Sequence, residues 1–182
     1  VYKRQLGKGV VRAFDTPNFI ANRVGIFGML ATMHEAEIFG LTVDVVDDLT
    51  GSKLGRAKSG TFRTADVVGL DTMAHVITTM QNTLQDDPFF PVYKTPEVLT
   101  KLIGGGALGQ KAGAGFYKKV GKDILRIDPA KADYVAGGGK ADDLVGRILK
   151  EKDPAKRMKA LHDSTNPQAQ FLWAIFRDMF HY

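Results

Sequence analysis

Apolar residues recur at the period of an α-helix from Phe19 to about Leu41, at Ile20, Val24, Phe27, Leu30, Ala31 and Ile38. A long, mostly buried helix is therefore predicted, and the rest of the chain has to pack around it. Thr16-Pro17 reads as its opening. A threonine oxygen can cap a free backbone N–H, and the fixed φ of proline suits a first helical position. Gly25 and Gly28 lie inside the run, where each costs about 1 kcal/mol relative to alanine, so close packing against another backbone is the expected compensation. Asn22 and Arg23 put polar side chains where the apolar face begins. Taken alone, they read as a buried hydrogen-bonding pair that ties the helix start to adjacent loops.

Further along, Thr42 to about Thr50 is a short acidic helix, and Gly51 to Asp66 is a glycine-punctuated loop. A third helix is predicted from about Thr64 to Leu84. It ends before "DDPFFPVYKTP", and Glu97–Ile103 forms another short helix. Glycines keep most of Gly104–Asp128 out of a helix. "FYKK" and "DILRI" read as the strands of a hairpin with "VGK" at its turn, and "ADYVAGGGKADD" as a flexible join. Ala141–Lys152, Pro154–His162 and Pro167–Tyr182 are helical again.

With no cysteine among the 182 residues, disulfides, zinc-thiolate sites and cysteine nucleophiles are excluded, which fits a reducing cytoplasm. No apolar run is long enough for a membrane span. The net charge of +5 is carried by scattered lysines and arginines, so it reads as a solvated surface rather than a nucleic-acid site. A modest positive field also suits an anionic substrate such as a coenzyme A thioester.

The glycine strings do not make a nucleotide site. "GGGALG" follows a helix and "GAGF" leads into a strand, so neither has the strand-turn-helix context that aims N–H groups at a phosphate. His34, His75, His162 and His181 are not spaced as metal ligands, and Ser52, Ser59 and Ser164 lack a nucleophile elbow. Asp47-Asp48 and Asp142-Asp143 read as caps or surface acids. Phe171, Trp173, Phe176 and Phe180 read as a packing helix face, part of it open to a partner.

Three motifs in order carry a family resemblance. "DTPNFIANRVG" resembles the D-x-P-G-F-x-x-N-R segment that opens the helical C-terminal domain of 3-hydroxyacyl-CoA dehydrogenases. "GTFRTADVVGLD" resembles that family's GPF-x-x-x-D-x-x-GLD, and "LGQKAGAGFY" its G-x-K-x-G-x-GFY. The departures are Asn18 for a glycine, and Lys58 and Thr61 where prolines are common. The resemblance covers about Gly7 to Tyr117. It implies a mainly α fold, the multi-helix C-terminal type shared by 3-hydroxyacyl-CoA and 6-phosphogluconate dehydrogenases, with a short β-hairpin.

The resemblance also implies a division of labour. A histidine base, oriented by a glutamate, and the NAD fold belong to an upstream Rossmann domain. Asn22 matches the asparagine that reaches the active site from the helical domain, where it positions or polarises the substrate. Pro17, Arg23, Gly60, Asp66, Gly69, Asp71, Gly113 and Gly115 are assigned to structure. The implied partners are an acyl-CoA substrate, the upstream domain, and a second helical repeat or homodimer partner. An enoyl-CoA hydratase module follows in the longer branch that the residues after Tyr117 resemble. On this reading residues 6–135 are the helical domain, 136–165 a linker with short helices, and 166–182 the start of a second repeat. The whole is a piece of something longer, acting in fatty acid β-oxidation and inactive alone. The competing reading is a noncatalytic helical module that binds acyl-CoA or dimerises. "VYKRQ" is similar to a translated sequencing-adapter end, so Val1–Gln5 is read as non-native.

Overall fold

Helix α1 (Phe19–Ile38) is the element against which the others are arranged. The computed structural model describes Gly7 and residues 9–182, so the reading of Val1–Gln5 falls outside the described residues. Burial on α1 begins only at Ile26, and continues through Phe27, Leu30, Ala31, Met33 and Ala36. Phe19, Ile20, Val24 and Ile38 stay exposed. The prediction of a mostly buried helix is thereby corrected for its first two turns, because no described element packs over them. The predicted opening also shifts. Asn18 holds the N-cap position without a side-chain cap bond, and the Phe19 N–H reaches the Thr16 carbonyl at 3.2 Å. Pro17 thus precedes the helix instead of standing at its first position.

The two helical glycines have different surroundings. A Cβ on Gly28 would lie 2.9 Å from Met179 Sδ, so Gly28 makes room for the last helix, although for a side chain and not a backbone. A Cβ on Gly25 would meet nothing within 4 Å, so the packing predicted there is absent.

Helix α2 (Val43–Thr50) follows as predicted. The expected third helix is two, α3 (Phe62–Val68) and α4 (Leu70–Thr83). Gly69 between them has φ 98°, a left-handed-side conformation that breaks the helical hydrogen-bond ladder. Met73, Ile77 and Met80 repeat at helical spacing and are buried. Residues Phe90–Tyr93 form a 3₁₀ turn, and α5 (Glu97–Gly104) follows.

The hairpin forms from β1 (Tyr117–Val120) and β2 (Asp123–Asp128), with Tyr117 opposite Arg126 and Val120 opposite Asp123. A third antiparallel strand, β3 (Asp133–Ala136), pairs Ile127 with Tyr134. This strand corrects the expected flexible join. The glycines after it are held as well, since the Gly139 N–H donates to Asp44 at 2.7 Å. Three capped helices complete the chain: α6 (Asp143–Leu149), α7 (Pro154–Asp163) and α8 (Pro167–His181). The side chains of Asp142, Asp153 and Asn166 accept from free N–H groups of their first turns.

Helix α8 packs on α1, with its Phe171, Leu172, Ala174 and Ile175 buried, while Phe180 projects outward, 79% exposed. No helix among the described residues is long and apolar enough to cross a membrane. Leu172 is fully buried and adjacent to the single tryptophan, Trp173. Leu172→Ala is expected to lower unfolding free energy by about 2–5 kcal/mol, read by Trp173 fluorescence in a urea titration. A loss of a few tenths would mean that α8 is not part of the core.

Candidate active-site helix and its carboxylate scaffold

The chain enters α1 through an unusual backbone. Asn18 has φ 65° and Phe19 φ 33°. Asparagine is the non-glycine residue that best tolerates this region, which accounts for Asn18 standing where the resembled motif has glycine. The entry sets the rotation of the first turn and so the directions of Asn22 and Arg23.

These neighbours, about 100° apart around the helix, have different fates. Arg23 Nη2 donates to Asp87 Oδ2 at 2.7 Å, joining α1 to the loop after α4. Asp87 Oδ1 accepts the Phe89 N–H at 2.8 Å, and Tyr93 donates to Oδ2 at 3.2 Å. Burial, then the Tyr182 hydroxyl 3.1 Å away and the charge of Asp87, pushes the Tyr93 phenol well above its usual range and keeps it protonated. The Tyr182 ring stacks on Phe27, centroids 3.9 Å apart, closing the cluster. An open cleft of about 400 Å³ lies over Ile20, Arg23, Val24, Phe89 and Tyr182. Asn22 does not line that cleft. Its partly exposed amide makes no hydrogen bond to any described residue.

The other sequence-selected residues converge on two buried carboxylates. Asp47 accepts the N–H groups of Thr61, Phe62 and Arg63 at 2.7, 2.6 and 2.9 Å, and the Tyr117 hydroxyl at 2.8 Å. It caps α3 from a different helix. Asp66 accepts the N–H groups of Phe116 and Tyr117 at 2.8 and 2.9 Å. A Cβ on Gly60 would lie 2.6 Å from the Asp47 Cα, and one on Gly115 would lie 2.7 Å from the Asp66 carboxyl carbon. Both glycines leave room for an aspartate. Gly113 turns at φ 73° just before. Asp71, after Gly69, lies 2.7 Å from Lys111 Nζ and is held below the usual carboxylate range by that hydrogen bond. The sequence reading missed the Asp87–Tyr93–Tyr182 cluster. The spacing of a single chain carries no signal for it.

Burial raises Asp66 from 3.8 to about 6, against the pull of its two backbone donors. Its protonated form is thus favoured by folding. That contribution to stability is full below about pH 4 and lost as pH rises through 6. Asp66→Asn would turn an amide N–H toward one of two backbone donors, at a cost of about 1–3 kcal/mol. The stability gap between wild type and Asp66→Asn is expected to narrow from pH 4 to pH 7, as chemical denaturation across pH would show. A gap that widened would mean that the ionised carboxylate is the form the fold prefers.

No three histidine, aspartate or glutamate side chains among the described residues are grouped to hold a metal ion. The glycine strings end helix α5 and lead into β1, so they do not fit a dinucleotide.

Comparison with known proteins agrees with this geometry. Residues 19–119 match the family model described as "3-hydroxyacyl-CoA dehydrogenase, C-terminal domain". A probable 3-hydroxyacyl-CoA dehydrogenase of Bacillus subtilis is 43% identical over 170 residues, which are 93% of this chain and 21% of that protein. The match therefore continues beyond the family model. A probable 3-hydroxyacyl-CoA dehydrogenase of Deinococcus radiodurans is 50% identical over 121 residues, 66% of this chain and 34% of that protein. The crystal structure of M. tuberculosis FadB2 superposes with a TM-score of 0.55 at 31% identity, covering 65% of this chain and 40% of that one. The chain spans about a fifth to a third of the length of these two curated relatives.

Proposed function

Because the chain belongs to the 3-hydroxyacyl-CoA dehydrogenase C-terminal domain family, we propose that it is the helical, substrate-closing part of an enzyme of fatty acid β-oxidation. That enzyme oxidises a 3-hydroxyacyl-CoA to the 3-oxoacyl-CoA. The observation that carries this reading is Asn22. It stands on the first turns of α1, over which no described element packs, with an amide that no described residue satisfies. Arg23 beside it gives its Nη2 to Asp87 at 2.7 Å. An amide held on a rigid helix can donate to an oxygen at the reacting carbon, or orient the base that takes the hydroxyl proton.

NAD is the hydride acceptor in this proposal, and it is assigned with the general base to an upstream Rossmann domain. Without that domain the helical part is inactive. Exposed Phe19, Ile20 and Val24 on α1 suit contact with such a domain, and exposed Phe180 on α8 suits a second helical repeat or a homodimer partner. The cytoplasm is the proposed location.

In the full-length enzyme, Asn22→Ala is expected to lower kcat/KM for NADH-linked reduction of acetoacetyl-CoA on the order of 10²-fold with folding intact. Wild-type kinetics in that variant would return Asn22 to a structural role. Arg23→Ala strips the buried Asp87 of its cation and is expected to act mainly on stability, by about 1–3 kcal/mol, seen as a lowered thermal midpoint. A large fall in kcat without such a shift would move Arg23 into the active site.

A further inference from the structure

A second, larger cleft of about 930 Å³ opens between α2, the loop that follows it and the sheet. Its buried side is one face of α2, where Asp44, Asp47 and Asp48 stand at helical spacing. One bank is the Ser52–Ser59 loop with Arg63 of α3, and the other is the turn between β1 and β2 with the glycines after β3. No residue of α1 lines it. Both banks belong to this chain, so the concavity is complete without a covering domain, and its volume is within the range of about 300–1,000 Å³ typical of small-molecule sites.

The charges around this cleft fall into two groups. The acids of α2 are taken up by the fold. Asp44 accepts the Gly139 N–H at 2.7 Å and lies 3.2 Å from Arg126 Nε. Asp47 accepts the three N–H groups at the start of α3. Asp48 accepts the Ala141 N–H at 2.8 Å and pairs with Lys53 and Lys140. Lys58, Arg63 and Lys122 line the same space, are exposed, and have no carboxylate within salt-bridge distance among the described residues. Asp123, at the hairpin turn, is the one acid of the lining not engaged in the same way. Three uncommitted cations thus border the cleft against one uncommitted acid.

Exposed lysines are ordinarily just solvated. These cations differ in coming from three separate elements to one concavity, and Arg63 is held there, its guanidinium carbon 4.5 Å from the centroid of the Tyr117 ring. Tyr117 is itself fixed by its hydroxyl bond to Asp47. On the opposite bank Gly138 turns at φ 110°, and its N–H donates to no described group. A guanidinium fork, lysine point charges and a free glycine N–H are the donors that hold phosphate oxygens. A single carboxylate would leave two of the cations unused, and an apolar ligand would have to desolvate all three. Lys58 is also a departure from the resembled motif, where proline is common, so the resemblance does not supply this set.

We propose that the cleft between α2, the Ser52–Ser59 loop and the hairpin turn binds a small phosphorylated anion, a pyrophosphate or the diphosphate of a nucleotide, through Lys58, Arg63 and Lys122. The cations grip the phosphates from both banks, and the acids beneath stay with their backbone donors.

The test is calorimetric titration of the full-length enzyme with inorganic pyrophosphate and, separately, with ADP, in the presence of saturating NAD and acetoacetyl-CoA. That oxidised pair does not turn over, and it occupies the sites for cofactor and substrate. One saturable site with a Kd below about 1 mM is expected. Lys58→Gln with Lys122→Gln should weaken it about tenfold or more, since each charge-assisted hydrogen bond contributes about 1.5–3 kcal/mol and 1.4 kcal/mol is a factor of ten. Both side chains are exposed, so the thermal midpoint without ligand should stay at the wild-type value. Equal affinity for the two probes assigns the site to the phosphates alone, and tighter ADP binding assigns it to a nucleotide. The absence of saturable heat overturns the proposal, as does binding that the double variant retains at full strength.

Discussion

Two buried carboxylates satisfy backbone donors that no regular structure can, and the middle of the chain is organised by them. The first N–H groups of any helix lack internal partners. In α3, three of these are taken by Asp47. Asp66, on α3 itself, accepts the N–H groups of Phe116 and Tyr117 at the entry to β1. Tyr117 closes the arrangement, giving its N–H to Asp66 and its hydroxyl to Asp47. Removal of either acid would leave several buried donors unpaired, and each unpaired donor is more costly than its hydrogen bond is stabilising. The close glycines follow from this arrangement, since a side chain at Gly60 or Gly115 would occupy the volume of an aspartate.

This tie separates the work of scaffold and site. The buried half of α1 rests on α4, the turn at Phe90–Tyr93 and α8, and these contacts fix its axis. Its first two turns are held at one side only, by Arg23 and the Asp87 cluster. Asn22, about 100° from Arg23 around the helix, lies off that anchored side. In the role proposed for Asn22, an amide displaced by an ångström would lose most of its effect on a reacting atom.

Much of this was legible in the sequence where local rules decide the outcome. The helical period around Phe27 and Leu30, the Asn166-Pro167 opening of α8 and the hairpin about Gly121 all depend on residues close in the chain. The misses have one physical origin. Gly69 splits a continuous helical pattern, and the Leu70 N–H after it bonds the Leu108 carbonyl at 3.2 Å, a partner some forty positions away. Strand β3 looked like a linker because its short, mixed pattern becomes a strand only when β2 offers an edge. Asp47 read as a surface acid or local cap since its donors lie beyond a glycine loop. The exposure of Ile20 and Val24 could not be read from a periodic pattern that marks a face as apolar without saying whether that face is covered.

Adjacent polar residues at the start of an apolar helix pose one question in the sequence, and the structure divides the answer. Arg23 is polar because the fold needs it: its fork reaches a carboxylate that also holds Tyr93 and the Phe89 N–H. Asn22 receives nothing from the fold, and the same is true of Gly25 one turn on. A soluble chain selected for stability alone would place an alanine at Gly25, where the helix would gain and nothing would collide. Asn22 and Gly25 thus mark the part of α1 that the described contacts do not account for, whereas Arg23 is accounted for by its bond to Asp87. In the proposed role Asn22 lacks a partner in this chain because its partner is in the substrate cleft, and a buried or positioned amide has to find one.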